Sequence, residues 1–193
     1  MNKPLDGSYH PPAPNFYTGR GTVLATRANL PHWNKAQTAS FVTFRLADSL
    51  PRVELLKRLE RRGCDLGHEG ENTIQEYLDA GYGSCILREE RCRRIVENAL
   101  WHFAGERYAL YAYVVMPNHV HVLFMPSEGQ TLSGTVASWK KFTARHLNDA
   151  LGEVGAVWEK ESFDTLVRSE RHFQTIVGYI KRNDPAKAWV AYR

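Results

Sequence analysis

Two histidines separated by one residue form the most distinctive chemical pattern in the sequence. His119 and His121 lie in the run HVHVLFM, whose β-branched and aromatic residues are typical of a strand. Side chains two residues apart leave the same face of a strand, about 6.6 Å apart at the backbone. Two imidazoles placed this way can converge on one divalent ion, and with oxygen donors that ion could be Mg²⁺, Mn²⁺ or Zn²⁺. The alternative is a pair of surface histidines on an amphipathic strand.

A second set of polar residues falls near the C-terminus, in a segment with helical periodicity. Tyr179 and Asn183 are four residues apart and therefore share one helix face. A phenol oxygen can attack phosphorus once a metal polarises the phosphate, and an amide oxygen can ligate that metal. The alternative for a lone helical tyrosine is a half-buried aromatic side chain whose hydroxyl is capped by a hydrogen bond.

The elements that position these residues can be predicted from hydrophobic period and turn residues. Pro117-Asn118 separates two β-rich runs and favours a hairpin turn between them. The predicted strands cover 40–46, 108–116, 119–125 and 163–167, and the predicted helices cover 51–62, 73–80, 89–104, 132–151 and 170–181. The order is β, α, β, β, α, β, α with additional residues early in the chain.

The domain organisation follows from where this periodicity begins. Residues 1–37 are rich in proline and show no helical or strand period, so we predict an extended N-terminal arm. Residues 38–193 form a single predicted domain, with an arginine-rich insertion at about 50–85 that no motif explains.

Composition excludes several classes of protein. The chain has 193 residues, of which 43% are hydrophobic and 24% are charged, which excludes a disordered protein and a membrane protein. The N-terminus has no apolar core for a signal peptide, and three cysteines do not make a disulfide framework, so we expect a cytoplasmic location. A net charge of +4 permits a polyanionic partner without requiring one.

Two further catalytic classes lack their sequence signatures. The sequence has no G-x-S-x-G motif of the serine hydrolases. It also has no glycine-rich phosphate loop, because the GYG at 81–83 lacks the lysine and the helix that must follow. Nucleotide hydrolysis is therefore disfavoured.

Four longer strings carry a more specific signal than the single pairs: YAYVVMPNHVHVLF (111–124), SWKKFTARHLN (138–148), VWEKESFDTLVRSERHF (157–173) and VGYIKRNDPAKA (177–188). In these strings the chain resembles the IS200-like single-tyrosine HUH transposases, and within them the bacterial REP-associated tyrosine transposases. The resemblance covers about residues 38–190, with the motifs in the order of the family.

The resemblance implies a role for each candidate residue. His119 and His121 match the histidine pair that holds a divalent ion, Mg²⁺ or Mn²⁺; Tyr179 matches the catalytic tyrosine; and Asn183 matches the polar third ligand. The family usually reads Y-I-x-x-N-P, whereas here Asp184 stands between the asparagine and the proline. Asn183 is favoured because it shares a helix face with Tyr179, and Asp184 remains the alternative. The implied fold is α+β, with an antiparallel sheet of ferredoxin-like or RRM-like type and flanking helices.

The activity implied by the resemblance is cleavage and rejoining of single-stranded DNA beside REP-like hairpins, through a 5′-phosphotyrosine intermediate. The alternatives are a non-catalytic RRM-like nucleic-acid-binding regulator and a metal-dependent nuclease that uses water. The expected partner is single-stranded or hairpin DNA, with no membrane, and the chain could act as a monomer or a homodimer. Trp139 or Trp158 could stack on a base. The candidate phosphate contacts are Lys140, Lys141, Arg145, Lys181 and Arg182.

Overall fold

The computed structural model describes residues 9–19, 24–27, 31–34, 37–50, 78, 80–184 and 188–191. For 24–27 and 31–34 it describes the backbone alone. The predicted helices over 51–62 and 73–80, and most of the predicted insertion at 50–85, lie outside the described residues.

Five strands form one antiparallel sheet that carries the candidate site. Two earlier strands, β1 (Leu24–Arg27) and β2 (Pro31–Asn34), pair with each other in a separate two-stranded sheet. In space the order of the main sheet is β6-β3-β5-β4-β7, so β5 is the central strand. The strands of this sheet are β3 (Ser40–Arg45), β4 (Tyr108–Val115), β5 (His119–Pro126), β6 (Phe163–Leu166) and β7 (Trp189–Val190).

The predicted hairpin joins β4 to β5. Both strands are buried along their whole length, as expected for the centre of a sheet that is covered on both faces. The turn between them, 116–118, is closed by a hydrogen bond from the Met116 N–H to the His119 carbonyl (2.9 Å). A β-bulge at Tyr111 shifts the register between Leu110 and Ala112.

Within the described residues three α-helices flank the sheet: α1 (Glu90–His102), α2 (Leu132–Leu151) and α3 (Glu170–Asn183). A 3₁₀ turn over Ile86–Arg88 precedes α1. The N-cap side chains of Thr131 and Ser169 each accept a backbone N–H, which starts α2 and α3 at the predicted places. Gly152 ends α2 in the left-handed conformation, with φ of 69°.

The helices divide between the two faces of the sheet. The α1 and α2 helices pack on one face, which carries Val42 and Phe44 of β3 and the adjacent Leu46, three residues that alternate along the chain. The α3 helix packs on the opposite face through Phe173, Ile176, Val177 and Ile180. The two faces are called here the α1/α2 face and the α3 face.

The predicted extended arm contains structure that its sequence did not indicate. The pairing of β1 with β2 lies within it. Residues before these strands also dock on the main domain: the Tyr17 N–H donates to the Val167 carbonyl (2.7 Å), and the Tyr9 hydroxyl accepts the Leu110 N–H (2.7 Å). Backbone pairing needs no hydrophobic period, which is why the period failed to predict it.

The predicted α+β class with an antiparallel sheet is confirmed by this architecture. Within the part of the chain that the structure describes, no helix is both long enough and apolar enough to cross a membrane.

Candidate active site

The two histidines lie side by side on the α3 face of the central strand. Their positions in β5, two residues apart, direct both rings to this face, and both are essentially inaccessible to solvent. The Nε2 atoms of His119 and His121 are 3.0 Å apart. The strand therefore brings two nitrogen atoms to one point below α3.

Burial determines the charge state of this pair. Burial lowers the pKa of His119 to about 3, and burial together with the neighbouring His119 ring lowers the pKa of His121 well below its usual value. Both imidazoles are thus neutral near pH 7. A neutral imidazole has a nitrogen lone pair available, which is the form that binds a metal.

Tyr179 reaches the histidine pair from α3. Its hydroxyl lies 3.2 Å from Nε2 of His121, and its ring is half-buried. The apolar stripe of α3 faces the sheet and positions the tyrosine, because Val177 and Ile180, on either side of it in sequence, are buried. A hydroxyl is thereby held beside the neutral ring of His121, whose Nε2 also faces His119.

Phe41 links the tyrosine to the histidine. This β3 side chain stacks on the ring of His121, with centroids 5.4 Å apart and an interplanar angle of 22°. It also meets the ring of Tyr179 edge to face at 6.0 Å. Phe41 therefore restricts the orientation of both aromatic groups.

Asn183 is the last residue of α3 and lies one turn after Tyr179. Its amide nitrogen donates to the Tyr179 carbonyl (3.3 Å), so a metal would take the amide oxygen. Asp184 has left the helix, with φ of −152° and ψ of 94°. This extended conformation is the one expected of a residue that precedes proline in the sequence.

The sequence comparisons give the family. The family described as "Transposase IS200 like" matches residues 86–183, which is more than half of the chain and includes both histidines and Tyr179. The chain belongs to the IS200-like transposases. The family expected from the sequence is therefore confirmed.

Two solved structures are similar to this transposase. The first is described as a REP-associated tyrosine transposase bound to a REP hairpin; it is 17% identical, with a TM-score of 0.53, over 81% of this chain and 72% of that chain. The second, from Deinococcus radiodurans R1, is described as a candidate transposase; it is 16% identical, with a TM-score of 0.43, over 87% of this chain and 98% of that one. The first likeness supports the fold. None of the curated proteins compared with the chain matches it.

The residues of the transposase fit a divalent metal. Two ligands on adjacent corners of an octahedral shell, each about 2.1 Å from the ion, are about 3 Å apart. The Nε2 separation of 3.0 Å equals that spacing. Within the described residues, no group of three or more His, Cys, Asp or Glu could hold a metal, so the other ligands would be amide, phenol, water or phosphate oxygens.

The five predicted phosphate contacts divide between the two faces of the sheet. Lys181 and Arg182 are exposed in the last turn of α3, next to Tyr179 in sequence. The Arg182 guanidinium lies over Gly178, where an added Cβ would be 3.1 Å from Nη1. Lys140, Lys141 and Arg145 lie on α2 and thus beside the opposite face.

Two of the α2 residues already have partners within the protein. The Lys140 ammonium donates to the Lys160 carbonyl (2.8 Å), and partial burial lowers its pKa. Arg145 lies 3.9 Å from Asp149 in an exposed pair, which contributes little to stability.

Trp139 and Trp158 are buried in the core of the α1/α2 face, so neither is exposed to stack on a base.

Sequence reasoning did not identify the groups that contact the histidines. Asn118 and Thr43 approach the Nδ1 atoms of His119 and His121, and Phe41 stacks on His121. The only signal was positional: Asn118 adjoins the histidine motif and was interpreted as a turn residue. The other two belong to β3, and pairing with β5 places Thr43 opposite His121.

Proposed function

We propose that this IS200-like transposase is a REP-associated tyrosine transposase. It cleaves and rejoins single-stranded DNA beside hairpins, with Tyr179 as the nucleophile and Mg²⁺ or Mn²⁺ as the cofactor. The observation that carries the proposal is the 3.2 Å separation between the Tyr179 hydroxyl and Nε2 of the buried histidine pair. The likeness to a transposase whose structure contains a REP hairpin supports hairpin DNA as the substrate.

His119, His121 and Asn183 are the residues that would hold the metal. When bound, a divalent ion polarises a non-bridging phosphate oxygen and offsets the charge that develops there. The rigid β5 strand supplies two of these ligands, and the C-terminal turn of α3 supplies the third. Because α3 also carries Tyr179, one helix positions both a ligand and the nucleophile.

The reaction of Tyr179 is an in-line displacement at phosphorus. Its phenol oxygen forms a bond to the phosphorus while the bond from phosphorus to the 3′ oxygen breaks. The phenol proton is lost and the departing 3′ oxygen gains one, so the products are a 5′-phosphotyrosine and a free 3′-hydroxyl. Attack on the same phosphotyrosine by a second 3′-hydroxyl rejoins DNA and restores the phenol.

Single-stranded DNA suits this geometry because the nucleophile is recessed. Tyr179 is half-buried between α3 and the sheet, so only a backbone that can leave a duplex can bring a phosphate to it. Lys181 and Arg182 would contact the phosphates on either side. A hairpin would supply a single strand next to a duplex stem.

A covalent adduct is the decisive test of the proposal. The protein is incubated with Mn²⁺ and a hairpin oligonucleotide labelled on the 3′ side of the cleavage site, then separated by denaturing electrophoresis. We expect a labelled, protease-sensitive adduct with the wild type and none with Y179F. Cleavage without an adduct would indicate a nuclease that uses water, and binding without cleavage would indicate a regulator; each result contradicts the proposal.

A further inference from the structure

The outer nitrogen of His119 contacts a side chain that is itself held in one orientation. Asn118 is fully buried, and its Oδ1 atom lies 2.7 Å from Nδ1 of His119. Its Nδ2 atom donates to the Tyr82 carbonyl at 2.9 Å. Rotating the amide by 180° would place Oδ1 against the carbonyl oxygen, and two acceptors would then face each other without a hydrogen. Oδ1 must therefore face His119.

This orientation determines where His119 carries its proton. An amide oxygen can only accept a hydrogen bond, so Nδ1 of His119 is the protonated nitrogen. The lone pair then lies on Nε2, the atom that faces His121. The amide thus selects the tautomer whose Nε2 can ligate a metal.

The loop that supplies the Tyr82 carbonyl is held in place by glycine. Gly81 and Gly83 have φ of 72° and 89°, which other residues rarely adopt. A Cβ on Gly83 would lie 2.7 Å from the Asp48 carbonyl oxygen, and the Asp48 carboxylate accepts the Ser84 N–H at 2.7 Å. Gly81 and Gly83 therefore place the Tyr82 carbonyl that orients Asn118, and they do not form a phosphate loop.

His121 is held by a group of a different kind. Its Nδ1 lies 2.8 Å from the Thr43 hydroxyl, which can donate or accept by rotating. In the metal-free protein two bare Nε2 lone pairs 3.0 Å apart would repel. Because the proton of His119 is held on Nδ1, this repulsion places the proton of His121 on Nε2, where Nε2 of His119 and the Tyr179 hydroxyl oxygen (3.2 Å) can both accept it. For ligation that proton must leave Nε2 and Nδ1 must gain one, with Thr43 then accepting.

We propose that Asn118 is a positioning residue that fixes His119 in its metal-binding tautomer, and that Thr43 is its adaptable counterpart for His121. This inference rests on the proposed metal site. It predicts an asymmetry between the two histidines: one ring is prepared for the metal in advance, whereas the other changes its protonated nitrogen when the metal binds.

Two substitutions at position 118 separate orientation from packing. Both N118D and N118L lose the donor to the Tyr82 carbonyl, but only N118D keeps an acceptor for His119. Imidazole ¹⁵N shifts of the metal-free protein report the tautomer, and Mn²⁺ titration reports the affinity. We expect Nδ1 protonation of His119 in the wild type and N118D, with Mn²⁺ affinity within about threefold of each other. N118L should lose that preference and bind Mn²⁺ about 10- to 100-fold more weakly.

Two results would overturn the inference: an Nε2-protonated His119 in the wild type, or equal Mn²⁺ affinity in N118D and N118L. Thermal unfolding monitors folding, and a purely structural role predicts that the two variants lose affinity together. Failure of the wild type to bind Mn²⁺ would contradict the proposed metal chemistry. If N118L alone still changed the tautomer of His119, the role of Asn118 in orienting that ring would stand.

Position 43 gives a second, independent comparison. T43S keeps the hydroxyl, whereas T43V replaces it with a methyl group of nearly the same shape. We expect T43S to bind Mn²⁺ like the wild type, and T43V to bind about 10-fold more weakly because Nδ1 of His121 loses its partner. Wild-type affinity in T43V would remove Thr43 from the proposal.

Discussion

On the α1/α2 face of the sheet the hydroxyl of Tyr108 forms hydrogen bonds within the core, whereas on the α3 face the hydroxyl of Tyr179 lies beside the imidazole of His121. Tyr108 is fully buried; its hydroxyl accepts the Trp139 indole N–H (3.0 Å) and donates to the Leu100 carbonyl (2.8 Å). Burial raises its pKa to about 12. Tyr179 is half-buried, and its hydroxyl lies 3.2 Å from His121.

The difference shows how one fold separates stability from chemistry. On the α1/α2 face, helices α1 and α2 enclose buried indole and phenol groups that pair with one another, Trp101 with Tyr113 and Trp139 with Tyr108. On the α3 face, helix α3 covers the buried imidazoles of His119 and His121, which contact each other and the side chains of Asn118 and Thr43. Burying a polar group is costly unless it is paired, and the two faces pair their polar groups to different ends: within the core on one face, and beside the half-buried Tyr179 hydroxyl on the other.

The largest expected effect is on the α3 face, at the nucleophile. Y179F removes one oxygen and little packing, so folding and DNA binding should persist. Cleavage of a labelled hairpin oligonucleotide should fall on the order of 10⁴-fold or more, because no other group replaces the attacking oxygen. Residual cleavage with a covalent adduct would assign the nucleophile to another side chain.

The next effect concerns the third metal ligand. N183A should raise the Mn²⁺ concentration for half-maximal cleavage by about 10- to 100-fold, and D184A should change it little, because Asp184 has already left the helix. Metal titration of the two variants against the wild type tests this. The opposite pattern would transfer the ligand role to Asp184.

A smaller effect is expected on DNA affinity, and it should differ between the basic residues of α3 and those of α2. The double variant K181Q/R182Q should weaken binding of single-stranded DNA and reduce the slope of log affinity against log salt by up to about 1.4 units, since each phosphate contact contributes about 0.7. The matched variant K140Q/K141Q should have less effect, because Lys140 is bound to the Lys160 carbonyl on the other face. Equal slopes from the two variants would place DNA on both faces.

The smallest effect on activity is expected from the α1/α2 face. Y108F leaves the buried Trp139 indole N–H without its acceptor, which costs about 1–3 kcal/mol of unfolding free energy. Cleavage per folded molecule should stay at the wild-type level. Chemical denaturation and the adduct assay measure the two quantities, and a loss of cleavage without a loss of stability would show that the faces are coupled.

Elements that have a local sequence signal are predicted well, and elements that form through backbone pairing alone are not. Strand β3, the β4–β5 hairpin and helices α2 and α3 were predicted closely, because apolar period and capping residues are local signals. For example, Thr131 and Gly152 bound α2 where the sequence predicts its ends. The pairing of β1 with β2 and the short β7 were not predicted, because backbone ladders leave no periodic signal in proline-rich or two-residue segments.

The residues of the candidate site likewise divide into those that a local spacing predicts and those that contacts between distant segments bring in. The spacing of His119 and His121, and that of Tyr179 and Asn183, was sufficient to place each pair on one face of its element. The sequence predicts Asn118 to lie in a turn and Phe41 to lie within the strand at 40–46, and it assigns neither residue to the site. Their contacts with the histidine rings depend on segments that are distant in sequence. Strand β3 brings Phe41 to His121, and the Tyr82 carbonyl orients the Asn118 amide.

The sequence by itself therefore determined the local chemistry of this protein: which side chains share a face, and the family to which their ordered motifs belong. Only the tertiary structure decided which faces meet. The strand order puts Thr43 opposite His121, the bulge at Tyr111 turns both Tyr111 and Ala112 toward α3, and the packing of α3 brings Tyr179 to the histidines. The physical reason is that spacing along a chain sets direction within one element, whereas the distance between elements is set by burial of their apolar faces.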